Sequence, residues 1–142
     1  MRSIVVGTDG SAGAKAAVER AADIAKGSEA RVHLVTAYPD IPSSREMIAS
    51  SAKSDRIDLR QVAEGVLTRA GRDLEERGIE FEPHAIEGDP AHAIIEVAEQ
   101  QDADLIVVGA RGLTALQRFL LGSVSSKLSH HSPIDLMVVR DG

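Results

Sequence analysis

The stretch DLIVVG, residues 104–109, carries an uninterrupted apolar run after its first residue. A strand with one face in water alternates apolar and polar residues, whereas a strand covered by helices on both faces is apolar throughout. Residues 104–109 therefore predict an inner strand of a parallel sheet with helices on both sides.

The segments around this strand alternate between strand-like and helix-like patterns. Short β-branched or alternating runs predict strands at residues 3–7, 31–37, 79–86, 104–109 and 135–139. Helical spacing of apolar residues predicts helices from Ser11 to Gly27, from about Asp55 to Arg77, from Asp89 to Gln101 and from about Ser123 to His131. This alternation predicts an α/β fold with right-handed crossovers between parallel strands.

The ends of the predicted helices carry residues that favour caps. Ser11 and Asp89 are predicted N-caps, and Pro90 suits a first helical turn. Gly27 and Gly78 are predicted to end the first and second helices. The second helix is predicted to bury one stripe, made of Leu59, Val62, Ala63, Val66, Leu67, Ala70 and Leu74.

Pro83 indicates how the strands are ordered. Because proline cannot donate to a ladder of hydrogen bonds, the third strand is expected at a sheet edge. The first and fourth strands are the most continuously apolar and belong at the centre, so we predict a three-layer α/β/α fold with strand order 3-2-1-4-5. Ligands of such sheets bind where the winding reverses, here beyond strands one and four, after which GTDGS (7–11) and GARG (109–112) follow.

The stretch GARGLTALQRFLLGS, residues 109–123, spaces its glycines as G-x2-G-x9-G-S. Gly122 and Ser123 open a predicted helix, whose first N–H groups and positive dipole end favour an anion such as phosphate. The stretch lacks the G-K-[ST] of a P-loop, and GTDGSAG (7–13) does not match the dinucleotide fingerprint. The same glycines would also suit ordinary turns, and their spacing alone leaves both readings open.

Composition narrows the classes of partner. The 142 residues predict one domain spanning 1–142, and the formal charge of −6 disfavours a nucleic-acid or anionic-membrane surface. The absence of cysteine excludes disulfides and thiolate metal sites, and 2% aromatic residues argue against base-stacking platforms. With no signal segment or long apolar span recognised, a cytoplasmic protein is expected.

Four stretches together resemble the universal stress protein family along the whole chain: VVGTDGS (5–11), GARG (109–112), LLGSVS (120–125) and HHSPIDLMVVR (130–140). The G-x2-G-x9-G-S pattern is similar to that of the family's ATP-binding branch. The resemblance implies a five-stranded α/β fold, a homodimer, and binding of ATP or another adenine nucleotide such as AMP or cyclic AMP. One departure is Ile134-Asp135, where cysteine or proline pairs are frequent in the family.

The resemblance also implies roles for individual residues. Asp9 matches an aspartate near the adenine and ribose, and Ala37 lies where the backbone after the second strand meets the base. Val124 would add a backbone N–H to the phosphate contacts, and Mg²⁺ or Mn²⁺ is expected to arrive with the phosphates. The full candidate set is Thr8, Asp9, Ala37, Gly109, Arg111, Gly112, Gly122, Ser123 and Val124.

Several of these residues also have ordinary structural interpretations. Asp9 precedes a glycine after a strand, which is common turn chemistry. Arg111 and Arg118 would pair with phosphates or simply remain solvated. Ser123 suits an N-cap, a role compatible with binding phosphate.

The histidines predict no metal site of the protein's own. His130 and His131 lie near a predicted helix C-terminus, where their positive character suits the dipole. His33, His84 and His92 are scattered, and no carboxylate was found at metal-site spacing from them.

Two functions remain open from the sequence. One is a dimeric stress-response module that binds an adenine nucleotide; the other is a slow ATPase or phosphotransferase, disfavoured by the missing lysine. Residues 38–54, rich in Pro and Ser, are predicted to form a lid. The apolar final strand, 135–139, is predicted to pair with its copy in a homodimer.

Overall fold

The computed structural model describes residues 1–39, 58–112 and 122–140. The strands are β1 (Ser3–Gly7), β2 (Arg31–Tyr38), β3 (Phe81–Glu87), β4 (Leu105–Gly109) and β5 (Leu136–Val139). The helices are α1 (Ala12–Ser28), α2 (Leu59–Glu76), α3 (Pro90–Gln100) and α4 (Ser123–His131). Arg118 and all but the first two residues of the predicted lid lie outside the described residues.

The five strands form one parallel sheet in the order β3-β2-β1-β4-β5. The predicted order and the α/β class are therefore confirmed. Pro83 lies opposite Leu34 in β3, which is an edge strand paired with β2. Among the described helices, none has both the length and the apolar character needed to cross a membrane.

Each face of the sheet has its own apolar core. Alternate residues of a strand point to opposite faces, so Ile4 and Val6 of β1 pack with α1 and α2, and Val5 packs with α3 and α4. Leu74 of α2 is fully buried in the first core and Leu128 of α4 in the second. Each such side chain contributes about 1.5–3 kcal/mol of burial free energy, and the sheet is thereby held from both sides.

The end of α1 differs from the prediction. The helix continues through Gly27 and ends at Ser28, and Glu29 adopts the left-handed conformation with φ 59°. Ala30, which follows, is buried in the core and its N–H donates to the carbonyl of Ala25 at 3.2 Å. Burial of Ala30 therefore decides where the chain turns, and a non-glycine residue takes the strained position.

The apolar stripe of α2 is narrower than predicted. Ala63, Leu67 and Leu74 are buried at spacings of four and seven residues, whereas Val62 is 58% exposed. Val62 is next to Ala63 in sequence and so points about 100° away from it around the helix axis. The helix begins after Asp58, whose carboxylate accepts N–H bonds from the first turn.

Candidate functional site

The loop after β1 is fixed to the end of β2. The N–H of Thr8 donates to the carbonyl of Val35 at 2.9 Å, and the hydroxyl of Thr36 donates to the carbonyl of Thr8 at 2.8 Å. Thr8 is buried. These bonds place Asp9, the next residue, beyond the carboxyl edge of the sheet, with Ala37 near the end of the adjacent strand.

Asp9 joins the loop after β1 to the loop after β4. One carboxylate oxygen accepts the N–H of Ser11 at 2.9 Å, which forms a turn before α1. The other oxygen lies 2.6 Å from where a Cβ on Gly112 would be. Gly112 therefore brings its backbone close to the carboxylate of Asp9, and a larger residue at this position would force that carboxylate to move.

The first turn of α1 packs directly on the loop after β4. A Cβ on Gly13 would lie 2.7 Å from the carbonyl oxygen of Arg111, and a Cβ on Gly109 would lie 2.7 Å from the carbonyl of Gly13. Backbone thus meets backbone, with no side chain between. Gly13 was not in the predicted site; a glycine in the first turn of a helix, against helix propensity, was the available signal.

Helix α4 begins against the same loop. The N–H of Gly122 donates to the carbonyl of Ala110 at 2.6 Å, and the buried hydroxyl of Ser125 donates to that carbonyl at 2.9 Å. A Cβ on Gly122 would lie 3.2 Å from Cα of Arg111. Ser125 was missed as a site-shaping residue because its role depends on Ala110, fifteen positions away.

Gly122, not Ser123, is the N-cap of α4, which corrects one reading of that serine. Glycine has no side chain with which to cap a helix, and Ser123 is exposed as the first helical residue. Val124 packs partly into the α3 and α4 core while its backbone belongs to the first turn. The positive end of the helix dipole therefore lies beside the Gly112 loop.

An ion pair joins α4 to the start of α3. Asp89 caps α3 by accepting the N–H of His92 at 3.0 Å and pairs with the ammonium of Lys127 at 2.9 Å. The hydrogen bond from Lys127, followed by that from the His92 backbone, lowers the pKa of the Asp89 carboxyl. Asp89 therefore stays ionised at neutral pH, and both side chains are about half exposed.

The predicted site residues thus occupy one edge of the sheet. Thr8, Asp9, Gly109, Gly112 and Gly122 are linked by the contacts above, and Ser123 and Val124 follow Gly122 in α4. Arg111 contributes its backbone to this packing and is half-buried. Ala37 is on the next strand, opposite Ile86, and packs against the α3 and α4 core.

The sequence predicted no metal site at the histidines, but the fold places a carboxylate beside two of them. His33, Glu82 and His84 place one possible ligand atom each within 4.8 Å of one another. The pairing of β2 with β3 brings His33 to Glu82, two residues that are far apart in sequence. Spacing along the chain therefore could not reveal this group.

The model of the universal stress protein family matches residues 1–140 of this chain. Three known proteins are similar to it over nearly their whole length or most of it. A putative universal stress protein of Staphylococcus saprophyticus is 36% identical over 98% of this chain and 83% of its own. The crystal structure of a universal stress protein in complex with cAMP has a TM-score of 0.76 at 30% identity, covering 99% of this chain and 98% of that one. A universal stress protein from Lactobacillus plantarum shares the fold, with a TM-score of 0.81 at 24% identity over 98% and 97% of the two chains. The family model and the Staphylococcus relative match nearly the whole chain, the strands have the order 3-2-1-4-5, and the glycine loops after β1 and β4 meet where the winding of the sheet reverses. This chain therefore belongs to the universal stress protein family.

Proposed function

We propose that this protein binds an adenine nucleotide beyond the carboxyl ends of β1 and β4, as a regulatory binding module. One observation carries the proposal: the loops after β1 and β4 and the start of α4 meet at glycines, with a Cβ on Gly13 or Gly109 placed 2.7 Å from backbone atoms and one on Gly122 placed 3.2 Å from Cα of Arg111. The universal stress protein crystallised with cAMP, 30% identical over nearly the whole chain, supports this ligand class.

The phosphates are proposed to lie against the first turn of α4. Backbone N–H groups of Ser123 and Val124 and the hydroxyl of Ser123 would donate to phosphate oxygens, assisted by the helix dipole. Gly109 packs on the backbone of Gly13 and Gly112 packs on the Asp9 carboxylate, and the loop that they hold in this way would line the ribose and phosphates. Arg111 would supply a positive charge where its guanidinium reaches a phosphate.

The base and ribose are proposed to lie on the β1 and β2 side. The Asp9 carboxylate would accept hydrogen bonds from the ribose or adenine, and the backbone near Ala37 would recognise the base edge. Thr8 positions Asp9 through its bonds to Val35 and Thr36. A di- or triphosphate would bring Mg²⁺ or Mn²⁺ held by its own oxygens and water.

The test replaces Gly122 by glutamate, which adds bulk and negative charge at the proposed phosphate position. Gly27→Glu is the matched control, because a Cβ on Gly27 meets nothing within 4 Å and α1 accommodates glutamate there. By calorimetry with ATP, AMP and cAMP, wild type and Gly27→Glu should bind, while Gly122→Glu should lose at least about tenfold in affinity.

Equal affinities of the two variants would contradict the proposed position of the phosphates. Failure of wild type to bind any of the three nucleotides would contradict the ligand class. A homodimer and a cytoplasmic stress-response role complete the proposal, as the family resemblance implies.

A further inference from the structure

Two histidines and a glutamate lie together between β2 and the edge strand β3. His33 lies opposite Glu82 in the pairing of these strands, and His84 follows Glu82 by two residues and so points to the same face. We call these three residues the His-Glu cluster. His33 and Glu82 are near the amino ends of their strands, whereas the proposed nucleotide site lies beyond the carboxyl ends of β1 and β4.

The ligand atoms of the His-Glu cluster are close together. Nδ1 of His33 is 3.0 Å from Nε2 of His84 and 3.9 Å from Oε2 of Glu82. The ring of His33 is only 3% exposed, while the side chain of Glu82 is 46% exposed. One end of the cluster is therefore anchored in the protein and the other opens to water.

These separations suit a tetrahedral divalent ion. Zinc binds imidazole nitrogen and carboxylate oxygen at about 2.0–2.2 Å, which places neighbouring ligand atoms about 3.3 Å apart. The two ring nitrogens are already near that separation. The carboxylate of Glu82 lies 3.9 Å from His33 Nδ1 and within 4.8 Å of the His84 nitrogen, and its exposed side chain can extend to bring it closer to both.

The protonation states also suit a metal. Burial lowers the pKa of both imidazoles, and for His33 the neighbouring His84 and Arg31 lower it further against the opposing effect of Glu82. Neutral imidazole is the form that binds metal. Without a metal, the short contact between the rings is a hydrogen bond, in which the N–H of one ring donates to the bare nitrogen of the other. A metal ion would replace this hydrogen bond, and each ring would then carry its hydrogen on the nitrogen that does not bind the metal.

We propose that His33 Nδ1, His84 Nε2 and the Glu82 carboxylate bind a divalent transition metal ion of the zinc class, with water in the remaining position. A set of two histidines and one carboxylate with an open fourth position is a recurring zinc arrangement. The ion would join β2 to β3 and so tie the edge strand to the sheet. This inference does not depend on the proposed nucleotide site.

The test measures Zn²⁺ binding to the full chain, freed of metal with chelator and without nucleotide. Calorimetry should give one tight ion per chain, and Co²⁺ as a probe should give the visible absorption of a tetrahedral site. His84→Ala and Glu82→Gln should each weaken Zn²⁺ binding at least about tenfold. His92→Ala is the matched control, because His92 is exposed on α3 and should leave binding unchanged.

The variants of choice avoid His33, whose buried ring would be costly to truncate. Circular dichroism spectra and urea unfolding midpoints of metal-free His84→Ala and Glu82→Gln should stay close to those of wild type, which shows that the variants are folded whether or not the chain binds a nucleotide. Wild type that binds no Zn²⁺, or Zn²⁺ binding that survives His84→Ala at full strength through other surface histidines, would overturn the proposal.

Discussion

At the scale of single residues, the candidate site is shaped by glycines, whose lack of a side chain lets other groups come close. Gly112 leaves room for the Asp9 carboxylate, Gly13 for the carbonyl of Arg111, and Gly109 for the backbone of Gly13. Asp9 then has two tasks, because one oxygen forms the turn to Ser11 and the other faces the Gly112 backbone. Because the two oxygens have different partners, a substitution that keeps one oxygen for the Ser11 N–H can test the role of the carboxylate while preserving the turn.

Asp9→Ala is expected to weaken discrimination between adenine and guanine nucleotides more than it weakens phosphate binding. The reason is the proposed place of the carboxylate near base and ribose, away from α4. Calorimetric affinities for ATP and GTP would be compared with those of Asp9→Asn, which keeps an oxygen to accept the Ser11 N–H. If Asp9→Ala lowers both affinities in the same ratio, Asp9 only shapes the turn.

Acid should destabilise the metal-free protein through His33 and His84. Burial lowers the pKa of both rings, so the unfolded chain binds more protons than the native state as pH falls below about 6.5. The contribution of these rings to stability is thus complete above that pH and is lost progressively below it. Glu82 and Arg31 are the charged neighbours and act on His33 in opposite directions.

The measurement is urea unfolding between pH 7 and pH 5 in the presence of a chelator. His84→Asn should reduce the fall in free energy of unfolding over this range, whereas His92→Asn on the exposed face of α3 should keep it. An unchanged pH dependence in His84→Asn would contradict the assignment.

At the scale of helices and strands, the sequence predicted what depends on local pattern. Apolar and alternating runs located the five strands that the structure describes, and Pro83 together with the continuously apolar first and fourth strands predicted the strand order. The convergence of the loops after β1 and β4 followed from that order. The prediction that α1 ends at Gly27, by contrast, was wrong. Gly27 has open space around it, and the burial of Ala30 decides where the chain turns.

Other features depended on contacts that no local pattern contains. Val62 fits an apolar spacing and is nevertheless exposed, since the face of α2 that packs is set by the sheet. The His-Glu cluster requires the register of β2 against β3. The tight packing of Gly13 on Arg111 brings together two backbone segments that are far apart in the sequence, so no local pattern could predict it.

Two glycines of α1 should respond oppositely to alanine. Gly13→Ala places a Cβ 2.7 Å from the Arg111 carbonyl oxygen, so α1 or the loop must shift, at a cost of about 1–3 kcal/mol. Gly27→Ala meets nothing and should stabilise the helix by about 0.5–1 kcal/mol. Urea unfolding midpoints check both, and shifts of the same sign would contradict the packing at Gly13.

At the scale of the whole molecule, the two edges of the sheet differ. β3 carries Pro83, which blunts pairing with another chain. β5, at the other edge, consists of LMVV, and its Leu136, Met137 and Val138 are half-buried. The carbonyls of Asp135 and Val139 accept bonds from β4, so by alternation the backbone groups of Leu136 and Val138 point outward. Of the two edges, β5 is the better template for a second copy.

A two-fold homodimer through β5 is therefore expected, with antiparallel strands crossing at Met137. In this pairing the outward N–H and C=O groups of Leu136 in one protomer meet those of Val138 in its partner, which gives a self-complementary ladder. Val138→Pro removes an outward donor without breaking the bonds that Asp135 and Val139 accept from β4. Val138→Ala keeps the N–H and is the matched control.

By sedimentation at micromolar concentration, wild type and Val138→Ala should be dimers and Val138→Pro should dissociate while its circular dichroism stays native. A wild-type monomer, with or without nucleotide, would exclude this interface, and an undiminished Val138→Pro dimer would place the contact elsewhere on the molecule.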